Sequence, residues 1–386
     1  MPEANLSAFR KEGETLDRLF DGRLKVLQPA KGYRFSVDAL LLAAFFQERQ
    51  ADHVLEIGPG SGIISLILAL RTDTLHLTGI EIQEDLADLA RLHEERLHIA
   101  WHALSLWWFC RLDGRGPYSL RENLAAQFEA LQTIAASGKP YEPNVAHHFA
   151  FRGADDVTAL AATVLAARTA KRLGIRRLVL QVMLNTPRST WGIQDIAKAR
   201  ALLALVRPLE DDRFQVILQP RGGLDFFSPD PQKAKAQLAA VTALMDDIEP
   251  RDTRSPPLIH VVSYSEGYAL ADPPVIAESL QIVRAALDAY RDLRRRGMID
   301  DMTDHPETVS RTARLQNETL ARLAAMEAAI PDLLSEAGLY QAFAQGFLHT
   351  PYLWEGRDEL APAVRARTRL SHGGVILEPE PPRTPS

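Results

Sequence analysis

The run Val54-Leu-Glu-Ile-Gly-Pro-Gly-Ser-Gly-Ile-Ile-Ser-Leu66 sets an acid, Glu56, near the end of an apolar β-type segment. Gly58, Gly60 and Gly62 follow in a turn, and a second apolar segment can then start a helix. Glycines remove the Cβ atoms that would keep backbone away from a nucleoside cofactor, so a strand–turn–helix of this kind suits such a ligand. The next strand-like run, His76–Ile80, ends in Glu81. An acid about twenty positions after the turn is where a ribose hydroxyl pair is held. An ordinary βαβ with a tight turn and a solvent-facing Glu81 would use the same residues, but turn, spacing and acid agree on the cofactor.

A second constellation lies further along, in segments that follow strand-like runs. Arg115, Tyr118 and Arg121 come after the first, and His147, His148 and Arg152 after the next. Arg188 follows the third, Arg221, Gly222 and Gly223 the fourth, and Tyr264 and Glu266 the fifth. Several arginines around one opening suit an anionic small-molecule substrate or a phosphate-bearing cofactor, because guanidinium grips carboxylate and phosphate with two parallel hydrogen bonds. His147 and His148 do not read as a metal pair, since neighbours on a strand point to opposite faces, and no metal site is expected. Gly222-Gly223 reads either as a plain turn or as a close approach to a cofactor, and Glu266 most simply as a loop acid paired with an arginine. Trp101, Trp107 and Trp108 read as core or interface aromatics, and Cys110 as a small buried apolar residue.

The elements that must position these residues fall in two parts. Arg23–Gln28 reads as a strand and Ser36–Arg49 as a helix, followed by strand Val54–Ile57, the glycine turn, a helix to about Ala69, and strand His76–Ile80. Beyond residue 97, short Val/Ile/Leu-rich runs alternate with long amphipathic stretches, the pattern of a parallel α/β architecture. Expected strands are Leu106–Leu112, Tyr141–Ala146, Arg177–Met183, Phe214–Gln219 and Leu258–Ser263. The intervening helices are Leu120–Ser137, Asp155–Leu173, Gly192–Val206, Pro231–Ile248 and Val275–Arg295. Chemistry after each strand suggests a partial or complete TIM-like (β/α) barrel, with a doubly wound sheet as the alternative. The domain limits expected are 1–95, 96–300 and 301–386.

Bulk properties exclude little. The 386 residues are 46% hydrophobic and 24% charged, ordinary for a globular chain with a sizeable core. A net charge of −6 argues against a broadly basic nucleic-acid surface, so a nucleic-acid partner is not expected. The single cysteine allows no internal disulfide and suits a reducing compartment. The first residues lack signal-peptide character and no apolar run is long enough to span a bilayer, so a cytoplasmic protein without membrane contact is expected.

Two resemblances add to this reading. Leu27-Gln-Pro-Ala-Lys-Gly-Tyr-Arg-Phe-Ser-Val-Asp-Ala-Leu-Leu-Leu42, Leu55-Glu-Ile-Gly-Pro-Gly-Ser-Gly62 and Gly79-Ile-Glu-Ile-Gln83 resemble the tRNA adenine-N6 methyltransferases that act on a valine tRNA. The resemblance covers residues 14–95 and implies a Rossmann-like half-domain. In it Glu56, Gly58, Gly60 and Gly62 would line an S-adenosylmethionine site and Glu81 would hold the ribose. The Asn-Pro-Pro-Tyr-type motif of that family does not follow at the expected distance. The similar Asp272-Pro-Pro-Val275 reads as a loop entering a helix.

Residues 100–380 are similar in layout to the large subunit of coenzyme-B12-dependent glutamate mutase (methylaspartate mutase). The likeness rests on Gly116-Pro-Tyr-Ser119, Trp191-Gly-Ile-Gln-Asp-Ile-Ala-Lys-Ala-Arg200, Gln219-Pro-Arg-Gly-Gly223, Ser265-Glu-Gly267 and Pro351-Tyr-Leu-Trp354. It implies a radical isomerase whose adenosylcobalamin is carried on a separate small subunit, with Arg221, Gly222 and Gly223 near the corrin. Glu266 would sit at the adenosine ribose, and Tyr118, Arg121 and Arg152 at the substrate. The family's first barrel half is missing, which implies an association-dependent protein, such as a homo-oligomer. The leading expectation is therefore a mutase-like body behind a truncated methyltransferase front. The alternatives are a tRNA methyltransferase-like protein and an inactive binder of a cobalamin-carrying partner.

Overall fold

A short antiparallel hairpin opens the described chain because residues 20–22 turn through positive φ, at 52°, 56° and 82°, where Gly22 carries no steric cost. Strands β1 (Glu14–Leu19) and β2 (Leu24–Pro29) pair from Leu19↔Leu24 to Glu14↔Pro29. The computed structural model describes residues 14–29, 43–44, 46, 53–57, 63–72, 76–80 and 100–378. The chain divides into two compact units, residues 1–89 and 90–386.

In the first unit, β3 (His53–Ile57) and β4 (His76–Ile80) run parallel in register, His53 opposite His76 and Ile57 opposite Ile80. Helix α1 (Ile63–Arg71) connects them, as a parallel pair requires. Ile63 and Ile67, one helical turn apart, are buried with Leu24, Val26 and Ala43. Strands Val54–Ile57 and His76–Ile80 are therefore present as expected. Gly58, Gly60, Gly62 and Glu81 lie outside the described residues, as does most of the expected helix Ser36–Arg49.

The second unit is built on four parallel strands in chain order, β5 (His102–Leu104), β6 (Tyr141–Pro143), β7 (Arg177–Leu184) and β8 (Gln215–Gly222). Between and after them come α2 (Leu120–Ser137), α3 (Ala146–Ala150), α4 (Asp156–Arg172), α5 (Gly192–Val206) and α6 (Pro231–Asp246). Local chemistry explains the helix boundaries. Ser119 and Glu122 form a reciprocal capping pair before α2, and Gly138 closes it at φ 72°. Asp230 caps α6 ahead of Pro231. Asp272 likewise caps α7 (Pro273–Arg295) by accepting from Val275 N, so Asp272-Pro-Pro-Val275 is a helix start as expected. Helices α8 (Pro306–Ala329), α9 (Glu336–Ala344) and α10 (Ala361–Val364) follow, then the hairpin β9 (Thr368–Ser371) and β10 (Gly374–Leu377).

Several expectations need correction. The described strands form an open four-stranded parallel sheet, and a closed TIM-like barrel is not seen. The expected strand Leu258–Ser263 contributes one parallel bridge, His260 to Arg221. It follows Pro256-Pro257, which have no amide hydrogens to extend a ladder. The first strand lies at His102–Leu104 instead of Leu106–Leu112, because Leu106 and Phe109 adopt φ of 48° and 63° and turn the chain. The strand at Tyr141 stops at Pro143, and His147 and His148 sit on helix α3. Among the described residues, no helix is long and apolar enough to cross a membrane.

One buried charge cluster joins the sheet's helices to the carboxyl-terminal elements. Asp156, at the start of α4, accepts from Arg311 of α8, from Val375 N of β10 at 3.0 Å, and from Lys198 of α5 at 3.3 Å. Its neighbour Asp155 caps α4 through Thr158 N (3.0 Å) and takes His349 Nδ1 at 2.9 Å and Arg322 at 3.3 Å. Removing one partner of a buried pair strands the others without compensation. Asp156→Ala is expected to lower the stability of the full chain by about 3–5 kcal/mol, read from the urea midpoint.

Candidate functional site

Alternation along the four strands separates two faces of the sheet. Leu178, Leu180, Val182 and Leu184 of β7 share one face with Val216 and Leu218 of β8, and all are buried in the apolar core. The other face carries Glu142, Gln181, Gln219 and Arg221, polar residues in otherwise apolar strands. Glu142 is the hub of this face. Its two carboxylate oxygens accept from Trp101 Nε1 at 2.7 Å and from Gln181 Nε2 at 2.6 Å, and Gln181 Nε2 also reaches Gln219 Oε1 at 3.4 Å. Burial raises the Glu142 carboxyl above the usual range, against the hydrogen bonds and the nearby Arg221 charge that favour its ionised form.

At the carboxyl ends of the strands this row meets a cluster of bases. His147 and His148, neighbours on α3, hold their rings 4.1 Å apart between centroids and tilted by 49°. Burial, reinforced by Arg221, Arg115 and Arg152, lowers His147 to about 3. Burial and the neighbouring His147 and arginines lower His148 to about 2. His260, bridged to Arg221, is lowered to about 4 by burial and by the same arginine. The His148 ring nitrogen lies 3.3 Å from Arg115, while Arg115 and Arg152 share the carboxylate of Asp113. These histidines are neutral hydrogen-bonding groups at any physiological pH, and the cluster's positive charge belongs to the arginines.

Of the residues singled out from sequence, Arg115, Arg152, Arg221, His147, His148 and Glu266 come together here. Glu266 lies near enough to Arg221 and His260 to influence their charge, and its carboxylate accepts from Ser263 N at 3.0 Å. Others are placed elsewhere. Arg121 lies over the Tyr340 ring at 3.5 Å, Tyr118 is surface-exposed, and Tyr264 donates to Glu278 at 2.7 Å. Asp225 accepts from Arg188 N at 3.3 Å. At Gly222 and Gly223 the protein's own atoms pack where a side chain would stand. A Cβ at Gly223 would strike Thr186 Oγ1 at 2.3 Å and Asn185 O at 2.7 Å, so the protein's own loop occupies that space. A Cβ on Gly222 would meet Val241 of α6 at ordinary contact distance.

Trp107 and Trp108 are fully buried, as is Cys110, whose thiol burial pushes up to about 11. Sequence reasoning missed Glu142, Gln181, Gln219 and His260. The available signal was a glutamine inside each of two apolar runs, Gln181 and Gln219, at positions that the parallel register sets side by side. Among the described residues no group of three or more His, Cys, Asp or Glu is arranged to hold a metal ion.

No family model matches the chain. Its curated relatives are methyltransferases. The chain is 36% identical over 77 residues to the tRNA1(Val) (adenine(37)-N6)-methyltransferase of Aliivibrio fischeri, which is 18% of this chain and 33% of the relative. It is 33% identical over 102 residues to the enzyme of that name from Klebsiella pneumoniae, 26% of this chain and 39% of the relative. With that from Serratia proteamaculans it shares 38% identity over 115 residues, 29% of this chain and 40% of the relative. The chain thus spans 33–40% of the length of these curated relatives.

These relatives correct three expectations. An adenosylcobalamin-dependent mutase is replaced as the leading function, since the names they carry are those of tRNA methyltransferases. The expected cofactor adenosylcobalamin and the small cobalamin-binding subunit gain no support. A nucleic-acid partner, set aside on net charge, is the partner type the relatives' names point to, and this conflicts with the expected small anionic substrate. Net charge averages over the whole surface and does not exclude a local contact.

The histidine cluster has a measurable consequence. In the unfolded chain His148 takes a proton near pH 6.5, whereas in the fold it resists one until about 2. Acidification between these values therefore favours the unfolded state, at up to about 1.4 kcal/mol per pH unit for one such group. Stability is expected to fall as pH drops from 6.5 towards 4, and His148→Gln should flatten that slope. Imidazole nitrogen shifts measured by NMR should show His147 and His148 neutral down to pH 4.

Proposed function

We propose that the first unit is the cofactor half of an S-adenosylmethionine-dependent methyltransferase of the RNA adenine-N6 kind. One observation carries the reading. The parallel register sets Ile57 opposite Ile80, and Gly58 and Glu81 are the residues that come next in the sequence after these two paired strand ends. In an open α/β sheet that edge is where ligands bind. In this reading Gly58, Gly60 and Gly62 admit the cofactor to the backbone, Glu56 precedes the turn, and Glu81 accepts from both ribose hydroxyls. The bound cofactor would supply an electrophilic methyl group. The resemblance to the relatives supports the reading, and we infer that their matched stretches include Glu56–Gly62 and Glu81.

The base-recognition motif expected after two further strands is not in the sequence at that distance, so acceptor recognition in this reading belongs to other residues of the chain. The open parallel sheet of the second unit, with its strands in chain order and one polar face, fits an arc of a (β/α) barrel.

Calorimetric titration of the full chain with S-adenosylmethionine tests the proposal. Glu81→Ala should weaken binding about 10-fold or more, the loss of a pair of charge-assisted hydrogen bonds. Absence of binding by the wild-type chain would sink the reading. Transfer of a labelled methyl group to unmodified tRNA then tests the acceptor.

A further inference from the structure

Tyr352 and Trp354 are large aromatics left 68% and 78% exposed, while Leu353 between them is buried. Neither residue hangs free at its backbone. Tyr352 N donates to Arg152 O at 3.1 Å and Trp354 N donates to Leu112 O at 2.8 Å, which stitches the segment onto two loops. Each ring also rests on a glycine. A Cβ at Gly153 would come within 2.6 Å of the Tyr352 ring, and one at Gly114 would lie 3.4 Å from the Trp354 ring. Both glycines hold positive φ, at 78° and 69°. One side of each ring is therefore set against a glycine, and much of the rest is open.

An open cleft of about 400 Å³ adjoins these rings, lined also by Asp113, Arg115, His148, Phe151 and Arg152. Phe109 and Phe151 expose about half their surface beside it. The Arg115 guanidinium lies 3.8 Å from the centre of the Phe109 ring, and that of Arg152 lies 4.4 Å from buried Trp108. Both arginines pair with the single carboxylate of Asp113, and His148 is uncharged, so this cluster keeps net positive charge.

We propose that this face binds single-stranded RNA, with unpaired bases stacking on Tyr352 and Trp354 and backbone phosphates meeting Arg115 and Arg152. Exposed rings beside a cluster of net positive charge are what such a strand requires, because every base offers a π-face and every linkage a charge. The choice of RNA among polyanions rests on the methyltransferase reading of the first unit. The site lies in residues 109–354 and supplies a nucleic-acid contact outside the glycine-turn region.

The test is fluorescence anisotropy of the full chain with a labelled single-stranded RNA of about ten nucleotides. Tyr352→Ala and Trp354→Ala should each weaken binding about 10-fold, and Trp354→Phe should restore most of the affinity. Arg115→Gln should reduce the slope of log affinity against log salt by about one. The thermal midpoints of both alanine variants should match the wild type, since the rings are mostly exposed. No binding by the wild type, or unchanged affinity in both alanine variants, overturns the proposal, the second result leaving a protein as the occupant. S-adenosylmethionine titration of the same preparations separates the two readings. Cofactor binding without RNA binding defeats this face alone, and Tyr352-dependent RNA binding without cofactor binding upholds the face and defeats the first-unit reading.

Discussion

Asp156 is a buried carboxylate, and the second unit is arranged around giving it partners. Arg311, Lys198 and the amide of Val375 come from three elements far apart in sequence, Lys198 donating to Oδ1 and the other two to Oδ2. An isolated buried charge would cost far more than the fold could spare, so these elements must arrive together or not at all. Asp155 extends the requirement to Arg322 and His349. The carboxyl-terminal helices and hairpin are held to the parallel sheet through this pair of acids as much as through apolar packing.

The same logic acts on the polar face of the sheet with a different result. There burial raises Glu142 and lowers three histidines, so the groups that titrate most easily in water are pushed from their usual ranges. Only guanidinium retains its charge in such surroundings. The electrostatic character of the strand ends is thus fixed by Arg115, Arg152 and Arg221, and the histidines serve as aromatic and hydrogen-bonding surfaces. His147, His148 and His260 are held neutral by burial and by the neighbouring arginines.

Local signals in the sequence carried much of the architecture. The ends of α2 and α5 follow from Ser119, Gly138 and the apolar spacing of 192–206, and Asp272-Pro-Pro announced α7. Parallel strands β3, β4, β7 and β8 were visible as apolar runs. Misreadings came where one residue adopted an unfavoured backbone state, as at Leu106 and Phe109, or where proline cut a strand short, as at Pro143. The Glu142–Gln181–Gln219 row was hidden for another reason: its members meet only through register, which no local pattern encodes. At Gly223 the chain's own loop fills the space a side chain would take.

That row also bears on how the sheet reaches a single alignment. Strands as apolar as β7 and β8 could slide past one another with little penalty, since Val, Leu and Ile recur on both faces. A slip by one position would turn Gln181 or Gln219 into the hydrocarbon beneath the helices, away from Glu142. The two buried amides therefore work as alignment marks, trading some stability for one pairing among several of nearly equal apolar content.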